Sequence, residues 1–289
     1  MWLMMKKSKI FLTLAIATSL SVIVGYLAAD RGPLKKVDVV IPESISDYRL
    51  SKSRRSQWAL PKVLREVSGI AVVDNEKLFI HHDEAAVVFE FNVDTQVVMQ
   101  RFQLADPVLK IDLEGIALLD NDVYLTTSTG EIYKVTDGLN RTGVIDDYEI
   151  FDTGLSGVCE IEGLDEDYTV GSLVLVCKQM LDQEAEYISV YRYSPDTHET
   201  TRLFDIPFAA FGKRLHATAI ARQFDSYIVL FGKEKLLGQL SREGLVLGVK
   251  ELKKNHHAQS EGLGFLEDGR LVLADEGKKT SGRITIYSL

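Results

Sequence analysis

Cysteine is nearly absent from this sequence, which contains only Cys159 and Cys177. Two cysteines are too few for a disulfide-scaffolded fold, and the C-x-x-C spacing of structural metal sites does not occur. The motifs G-x-S-x-G, H-E-x-x-H, G-x-x-x-x-G-K-[ST] and G-x-G-x-x-G are absent as well. The sequence therefore offers no positive support for a serine nucleophile elbow, a zincin or a nucleotide-binding enzyme.

Basic charge is scarce outside the N-terminus. The net charge is −9, and because residues 1–36 carry +5, residues 37–289 carry −14 from 27 basic and 41 acidic side chains. A protein that binds nucleic acid needs a basic face for the phosphates. The charge balance therefore argues against a nucleic-acid partner, and it is compatible with cation binding.

Only one hydrophobic run is long, the twenty uncharged residues 10–29, which follow three lysines within residues 6–9. As a helix this run would be about 30 Å long, enough to cross the hydrocarbon core of a bilayer. The lysines favour a cytoplasmic N-terminus and export of the rest. We therefore predict a single inner-membrane anchor in residues 1–29, a tether in residues 30–46 and a periplasmic domain in residues 47–289. A cleaved signal peptide is the alternative.

A repeat with a period near fifty residues organises this domain. Five segments align: EVSGIAV from Glu66, DLEGIAL from Asp112, EIEGLDE from Glu160, HATAIAR from His216 and QSEGLGF from Gln259. A second apolar run follows each segment, and these runs end at Asp83, Ser128, Lys178, Lys233 and Glu276. Further strand-like runs complete most units, and no helical periodicity occurs after residue 46. Four short strands in about fifty residues are typical of a β-propeller blade.

The number of repeats predicts the number of blades. The last unit has only three strands before Leu289, and residues 48–50 or 55–60 could supply the fourth. A blade shared between the two chain ends would close the ring and leave no exposed edge. We therefore predict an all-β fold, a β-propeller of five four-stranded blades closed by an N-terminal strand. A six-bladed propeller would need a hidden unit within residues 162–218.

The repeats also predict a functional face. In a propeller, the first strand of each blade lines the central channel, and its start lies on the same face as the end of the second strand. The candidate metal ligands are Glu66, Asp112, Glu114, Glu160, Glu162 and Glu261, the candidate ligand-binding residues are Asp83, Lys178, Lys233 and Glu276, and His216 is a candidate catalytic base. Such crowded carboxylates need a compensating charge. Hard oxygen ligands suit Ca²⁺, with Mg²⁺ second.

A purely structural role is the alternative for the Glu-Gly pairs. In that case each glutamate would accept hydrogen bonds from backbone amides of a neighbouring blade, and each glycine would permit a tight bend at the start of the strand.

The sequence leaves the pairing of the two cysteines open. Cys159 begins the predicted first strand of the third unit, and Cys177 lies near the end of the second. Antiparallel pairing could bring them together, and an exported domain would allow their oxidation. The register decides the outcome, and the pattern does not define it.

The segments EVSGIAV, DLEGIAL, EIEGLDED and QSEGLGFLEDGRLVLADEG, behind an N-terminal membrane segment, resemble the SdiA-regulated family of bacterial envelope propellers, the YjiK/CarP type. The resemblance extends from about residue 47 to the end. It implies a periplasm-facing, membrane-associated β-propeller linked to calcium, with no firmly assigned reaction. It also supports Glu114, Glu162 and Glu261 as acids of the central face. The fourth unit, HATAIA, departs from the family pattern because it lacks the Glu-Gly pair.

These observations favour a non-enzymatic propeller that binds a divalent cation, or a ligand through it, and that acts in calcium homeostasis. A second hypothesis is a metal-dependent hydrolase of the phytase-like or lactonase-like type. In that case His216 or a glutamate would act as the base, and Lys178 or Lys233 would orient a small anionic substrate. A third is a protein-interaction platform for an envelope protein, which would leave no recognisable sequence signal.

Overall fold

The computed structural model describes residues 43–277 and 279–288, and these residues form β-strands and short 3₁₀ turns without an α-helix. The strands in chain order are β1 (Arg55–Ala59), β2 (Val67–Val72), β3 (Lys77–His82), β4 (Val87–Asn92), β5 (Val98–Leu104), β6 (Leu113–Leu119), β7 (Asp122–Thr127), β8 (Glu131–Val135), β9 (Gly143–Ile145), β10 (Glu149–Asp152), β11 (Cys159–Asp167), β12 (Ser172–Met180), β13 (Tyr187–Tyr193), β14 (Thr200–Pro207), β15 (Ala219–Gln223), β16 (Ser226–Phe231), β17 (Leu236–Ser241), β18 (Val246–Glu251), β19 (Ser260–Phe265), β20 (Leu271–Asp275) and β21 (Arg283–Tyr287).

These strands form five sheets, which are the five blades of a propeller. From the inner to the outer strand, the blades are β2-β3-β4-β5, β6-β7-β8-β10, β11-β12-β13-β14, β15-β16-β17-β18 and β19-β20-β21-β1. The short strand β9 adds to blade 1 in parallel with β5, although its neighbours in sequence belong to blade 2. The predicted five-bladed all-β propeller is confirmed. Residues 162–218 contain no sixth blade; the third repeat is long partly because β11 and β12 have nine residues each.

The N-terminal strand closes the ring as predicted. Strand β1 pairs with β21 in antiparallel fashion, with Trp58 opposite Ile284. Of the two candidate segments, residues 55–59 therefore complete blade 5. Tyr48, from the other candidate, is buried instead, and its hydroxyl donates a 2.6 Å hydrogen bond to the carbonyl of Gly269.

The predicted membrane anchor, residues 1–29, lies outside the described residues. Within residues 43–277 and 279–288, no helix has the length and apolar character needed to cross a membrane.

Apolar side chains between neighbouring blades form the core. The innermost strands are buried on nearly their whole length because they face a neighbouring blade on both sides. Cys159 and Cys177, whose pairing the sequence left open, form a buried disulfide with their Cα atoms 5.8 Å apart. It joins the first strand of blade 3 to the second, on the side of the ring where the first strands begin.

Candidate functional site

Four of the five first strands contain a β-bulge at the same position. In β6, β11 and β19 the extra, unpaired residue is Glu114, Glu162 or Glu261, and in β2 it is Ser68. A bulge bends a strand and re-aims a side chain, and bulges are frequent beside functional sites. Thr218, directly before β15, takes the equivalent place in blade 4. These five residues line the central channel together, one from each blade, and we call them the inner ring.

The glycine after each bulged glutamate permits close contact between blades. A Cβ atom at Gly115 would lie 2.9 Å from the backbone nitrogen of Leu164, and one at Gly163 would lie 2.9 Å from the Cα of Ala219. Both neighbours belong to the next blade, so any larger residue would push two blades apart. The Glu-Gly pair therefore has two separate roles: the glycine serves packing, and the glutamate faces the channel.

Above the inner ring the channel widens into a cavity of about 800 Å³, which we call the funnel. Nine of the eleven predicted site residues line it: Glu66, Asp83, Glu114, Glu162, Lys178, His216, Lys233, Glu261 and Glu276. Asp112 and Glu160 do not. Asp112 accepts a hydrogen bond from Ser128 at 2.5 Å, and Glu160 accepts one from Gln179 at 2.7 Å. The funnel thus gathers most of the predicted residues on one face.

Glu114, Glu162 and Glu261, which we call the inner carboxylates, are crowded and poorly hydrated. Burial raises the pKa of Glu114, and the charge of Glu162 adds to the effect; a 3.0 Å hydrogen bond from Ser68 opposes it. Burial also raises the pKa of Glu162, against the attraction of Lys178. For Glu261, burial and then the charge of Glu276 raise the pKa to about 7. These shifts mean that the folded protein resists full ionisation of the three groups near neutral pH.

Lys178 is the internal counter-charge of this cluster. Its Nζ lies 3.0 Å from Oε1 of Glu162 and 3.1 Å from Oε1 of Glu160. Burial by itself would lower the pKa of Lys178, but Glu162 and Glu160 raise it by more, so the pKa lies above its ordinary value. With all three inner carboxylates ionised, the group that they form with Lys178 carries a net charge of −2. A divalent cation would neutralise that charge.

The donor atoms suit a hard cation, although they are not gathered around one point. Carboxylate and hydroxyl oxygens of the inner ring are the ligand types that Ca²⁺ and Mg²⁺ prefer. However, no group of three or more His, Cys, Asp or Glu side chains within residues 43–277 and 279–288 is arranged to hold a metal ion. One carboxylate, Glu162, is already engaged by Lys178, and a second, Glu114, by Ser68. The ligand types and the charge of the cluster suit a cation, whereas the described side chains are not arranged around a single point where one would sit.

A histidine–carboxylate pair stands on the fourth blade's side of the funnel. Nδ1 of His216 lies 2.9 Å from Oε1 of Glu234, and the backbone N–H of His216 donates to Oε2 at 3.1 Å. Because an ionised carboxylate can only accept a hydrogen bond, Nδ1 carries the ring proton of neutral His216. Its Nε2 can then accept a hydrogen bond or a proton. Sequence reasoning singled out His216 and missed Glu234. The available signal was its place directly after Lys233, at the end of the fourth unit's second apolar run.

Three lysines line the funnel on the side of blade 4: Lys233, Lys235 and Lys254. The last two were not predicted from the sequence. Lys235 donates a 2.7 Å hydrogen bond to the carbonyl of Ala258 and so joins blade 4 to the connection that precedes β19. Lys233 and Lys254 are exposed, and neither makes an ion pair or hydrogen bond within the described ranges. The funnel thus has acidic inner carboxylates and a basic side wall.

The channel is closed below the inner ring. The space there is only about 10 Å³, and the inner ring lines it together with one aliphatic residue per blade: Ile70, Ile116, Leu164, Ile220 and Leu263. This volume is at the lower limit for a single water molecule. A separate cavity of about 240 Å³ lies beyond it, at the opposite mouth. The funnel is therefore open at one end only, which is the geometry of a binding pocket.

Comparison with protein-family models gives no match, and neither does comparison with curated protein sequences. Solved structures do match. Glutaminyl cyclase from Myxococcus xanthus aligns with a TM-score of 0.53 and 11% identity over 81% of this chain and 97% of that one. A luciferin-regenerating enzyme aligns with a TM-score of 0.50 and 10% identity over 81% of this chain and 96% of that one. A virginiamycin B lyase from Staphylococcus aureus aligns with a TM-score of 0.42 and 12% identity over 76% of this chain and 66% of that one. This chain therefore spans about two thirds of the length of that lyase.

The likeness shows the fold alone. At identities of 10 and 11% the propeller is shared, and the residues of a site are not transferable.

Proposed function

We propose that this protein is a membrane-anchored, periplasm-facing propeller that binds a divalent cation at the inner carboxylates, Ca²⁺ before Mg²⁺. The observation that carries the proposal is the crowding of the inner carboxylates, whose pKa values are all raised and of which Glu162 alone makes an ion pair within the described residues. A bound cation would lower the raised pKa values of the carboxylates and so remove the cost of ionising them in a buried place. Such a site would suit a part in calcium homeostasis.

Calcium is preferred to magnesium on grounds of geometry. Ca²⁺ accepts six to eight oxygen ligands in a flexible arrangement, whereas Mg²⁺ demands a near-ideal octahedron. Three glutamates and two hydroxyls from five different blades form a wide, irregular set of donors. Lys178 and the cation would compete for Glu162, so the ammonium group would regulate how tightly the cation is held.

Calorimetric titration of the full chain with CaCl₂ and with MgCl₂ tests this proposal. The triple variant Glu114→Gln, Glu162→Gln, Glu261→Gln keeps the side-chain size and removes the charge, and it should lose the Ca²⁺ heat. Glu149→Gln, an exposed position on β10, is the matched control and should bind as the parent does. The proposal is wrong if the parent shows no Ca²⁺ binding, or if the triple variant binds as tightly as the parent.

A second candidate function is supported by the His216–Glu234 pair. With Nδ1–H held by Glu234, Nε2 of His216 could take a proton from water, whose oxygen would attack the phosphoryl or carbonyl centre of an anionic ester. The ester bond would then break, and the proton would pass from His216 to the leaving oxygen. Lys233 and Lys254 would orient the anion, and a bound cation would polarise the oxygen under attack.

Assays of phosphomonoesters, phytate and lactones, with and without Ca²⁺, test this second candidate. Turnover that is lost in both His216→Asn and Glu234→Gln, with Ca²⁺ binding retained, would establish it. If no substrate in these three classes is turned over, cation binding remains the function that the funnel supports.

A further inference from the structure

The turns on the face opposite the funnel differ sharply in polarity from blade to blade. We call this side of the ring the far face; it carries the turns that follow each first strand. In blades 1, 2 and 5 those turns are polar and acidic, with Asp74-Asn75-Glu76, Asp120-Asn121 and Glu267-Asp268-Gly269. In blades 3 and 4 the corresponding turns expose large apolar side chains, with Asp225 beside them in blade 4. The far-face turn before the outer strand of blade 1 also exposes two apolar residues, Val97 and Met99.

Five residues of blades 3 and 4 form what we call the apolar rim: Tyr168, Val170, Phe224, Leu245 and Leu247. The first three belong to the turns after β11 and β15. Leu245 belongs to the turn before β18, and Leu247 follows within that outer strand. Leu245 is 67% exposed, the highest value among the large apolar residues that the structure describes. Exposed apolar groups gathered in this way mark an interaction surface more often than isolated ones do.

Contacts between the two blades hold the rim together. The guanidinium of Arg222 lies 4.0 Å from the ring centroid of Tyr168, so the turn of blade 3 rests on the strand that leads to Phe224. Arg242, three residues before Leu245, donates a 2.6 Å hydrogen bond to Asp167, the residue before Tyr168. These contacts hold the turn of blade 3 against blade 4 on the far face.

The chain enters the propeller beside this rim. The side chain of Gln239 accepts a hydrogen bond from the backbone N–H of Ile45 at 3.0 Å and donates one to the carbonyl of Glu43 at 2.8 Å. Lys250 donates to the carbonyl of Ser46 at 2.9 Å. Residues 43–46 are thus held against β17 and β18 of blade 4. Thirteen residues separate them from the apolar run 10–29, which is at most about 45 Å of extended chain.

We propose that the apolar rim docks on the surface of the lipid bilayer, so that the funnel opens away from the membrane. The short connection keeps the propeller close to the bilayer and attaches it on the side of blade 4. The apolar turns of blades 3 and 4 then meet the interface, where aromatic and aliphatic groups are favoured. The acidic turns of the other blades stay in water, away from anionic headgroups. This inference rests on the proposed membrane anchor and is independent of the proposed cation site.

Site-specific fluorescence in proteoliposomes tests the docking. The two native cysteines form a buried disulfide, so a thiol-reactive NBD dye would label only an introduced cysteine. The full chain with Leu245→Cys is reconstituted into vesicles of phosphatidylethanolamine and phosphatidylglycerol, with or without doxyl-labelled phosphatidylcholine. Val63→Cys is the matched control, because it is 52% exposed and lies just before β2 on the funnel side.

The expected result is a blue-shifted emission at position 245 that doxyl lipid quenches, and an unshifted, unquenched emission at position 63. Phe224→Cys should behave as Leu245→Cys does. Equal quenching at positions 245 and 63, or no quenching at either, would overturn the docking. Carbonate extraction of the same vesicles tests the anchor separately: release of the full chain would overturn the anchor and this inference together, while Ca²⁺ titration of the released protein would still report on the funnel.

Discussion

The ammonium of Lys178 lies 3.0 Å from the carboxylate of Glu162, and the two residues come from the paired inner strands of one blade. The ion pair sits beside two further, partly buried carboxylates, Glu114 and Glu261, so one lysine faces more negative charge than it can neutralise. A cation bound at the inner carboxylates has to replace this contact or add to it.

Replacement of Lys178 distinguishes a cation ligand from an anion ligand. Lys178→Met keeps the length of the side chain and removes its charge, and we expect Ca²⁺ affinity to rise by about tenfold, because a nearby like charge costs on the order of 1 kcal/mol or more. Calorimetric titration measures the change. Lys77→Met, on β3 at its far-face end, is the control and should leave the affinity unchanged. Weaker binding in Lys178→Met would contradict competition between the ammonium and the cation.

Stability of the metal-free protein should fall as pH rises. The inner carboxylates have raised pKa values in the folded state, so the folded chain keeps protons that the unfolded chain releases above about pH 4.5. Their contribution is therefore most favourable below that pH and is lost progressively up to about pH 8. Urea denaturation at a series of pH values in EDTA should show a loss on the order of a few kcal/mol.

The triple glutamine variant of the inner carboxylates is the control for this pH dependence. It should be flatter than the parent between pH 5 and 8, and more stable at pH 8. Part of the slope should survive, because burial also raises the pKa of Asp165 and of Glu166, both to about 7, at the opposite mouth. An unchanged slope in the triple variant would mean that the inner carboxylates are not the titrating groups.

Calcium affinity should rise as the pH rises from about 6 to about 8. Protons and Ca²⁺ compete for the same carboxylates, so binding should be weak near pH 6 and approach its limit above pH 8. Binding at pH 7 should release protons, which titrations in buffers of different ionisation enthalpy detect. A pH-independent affinity without proton release would place the ion elsewhere.

The contact between blades 3 and 4 at Gly163 should be sensitive to a single methyl group. Gly163→Ala puts a Cβ atom 2.9 Å from backbone atoms of Ala219 and Ile220, and we expect it to lower the free energy of unfolding by about 1 to 3 kcal/mol. Gly157→Ala is the matched control, since its added Cβ would meet no atom within 4 Å. Urea denaturation compares the two. Equal midpoints would show that the blades can separate slightly without cost.

Much of the funnel could be predicted because the repeats align residue by residue. Placing the Glu-Gly pairs in register put Glu114, Glu162 and Glu261 on one face, and the ends of the second strands added Asp83 and Glu276. Regular alternation also predicted that Glu160 would face the same way as Glu162. The bulge at Glu162 breaks that alternation, and Glu160 pairs with Gln179 and Lys178 beside the funnel instead.

Other features of the site depend on contacts that no local pattern records. Glu234 supports His216 across eighteen residues, and the disulfide depends on the register of β11 against β12. The far-face rim was not recognised at all, because its members come from separate turns of two blades. A sequence pattern reports which face of a strand is apolar, and it does not report which turns meet.

The sequence by itself predicted the blades, their number and closure of the ring by an N-terminal strand, and the structure decided which of two segments forms that strand. Alternating apolar residues and turn residues define strands within a few positions of the chain. Five copies of one four-stranded unit can then pack against one another in only a few arrangements. Tertiary structure decided which acids share a buried space, which lysine compensates them and where the channel closes. Those outcomes depend on bulges and on blade-to-blade distances, which are set by packing between residues about fifty positions apart.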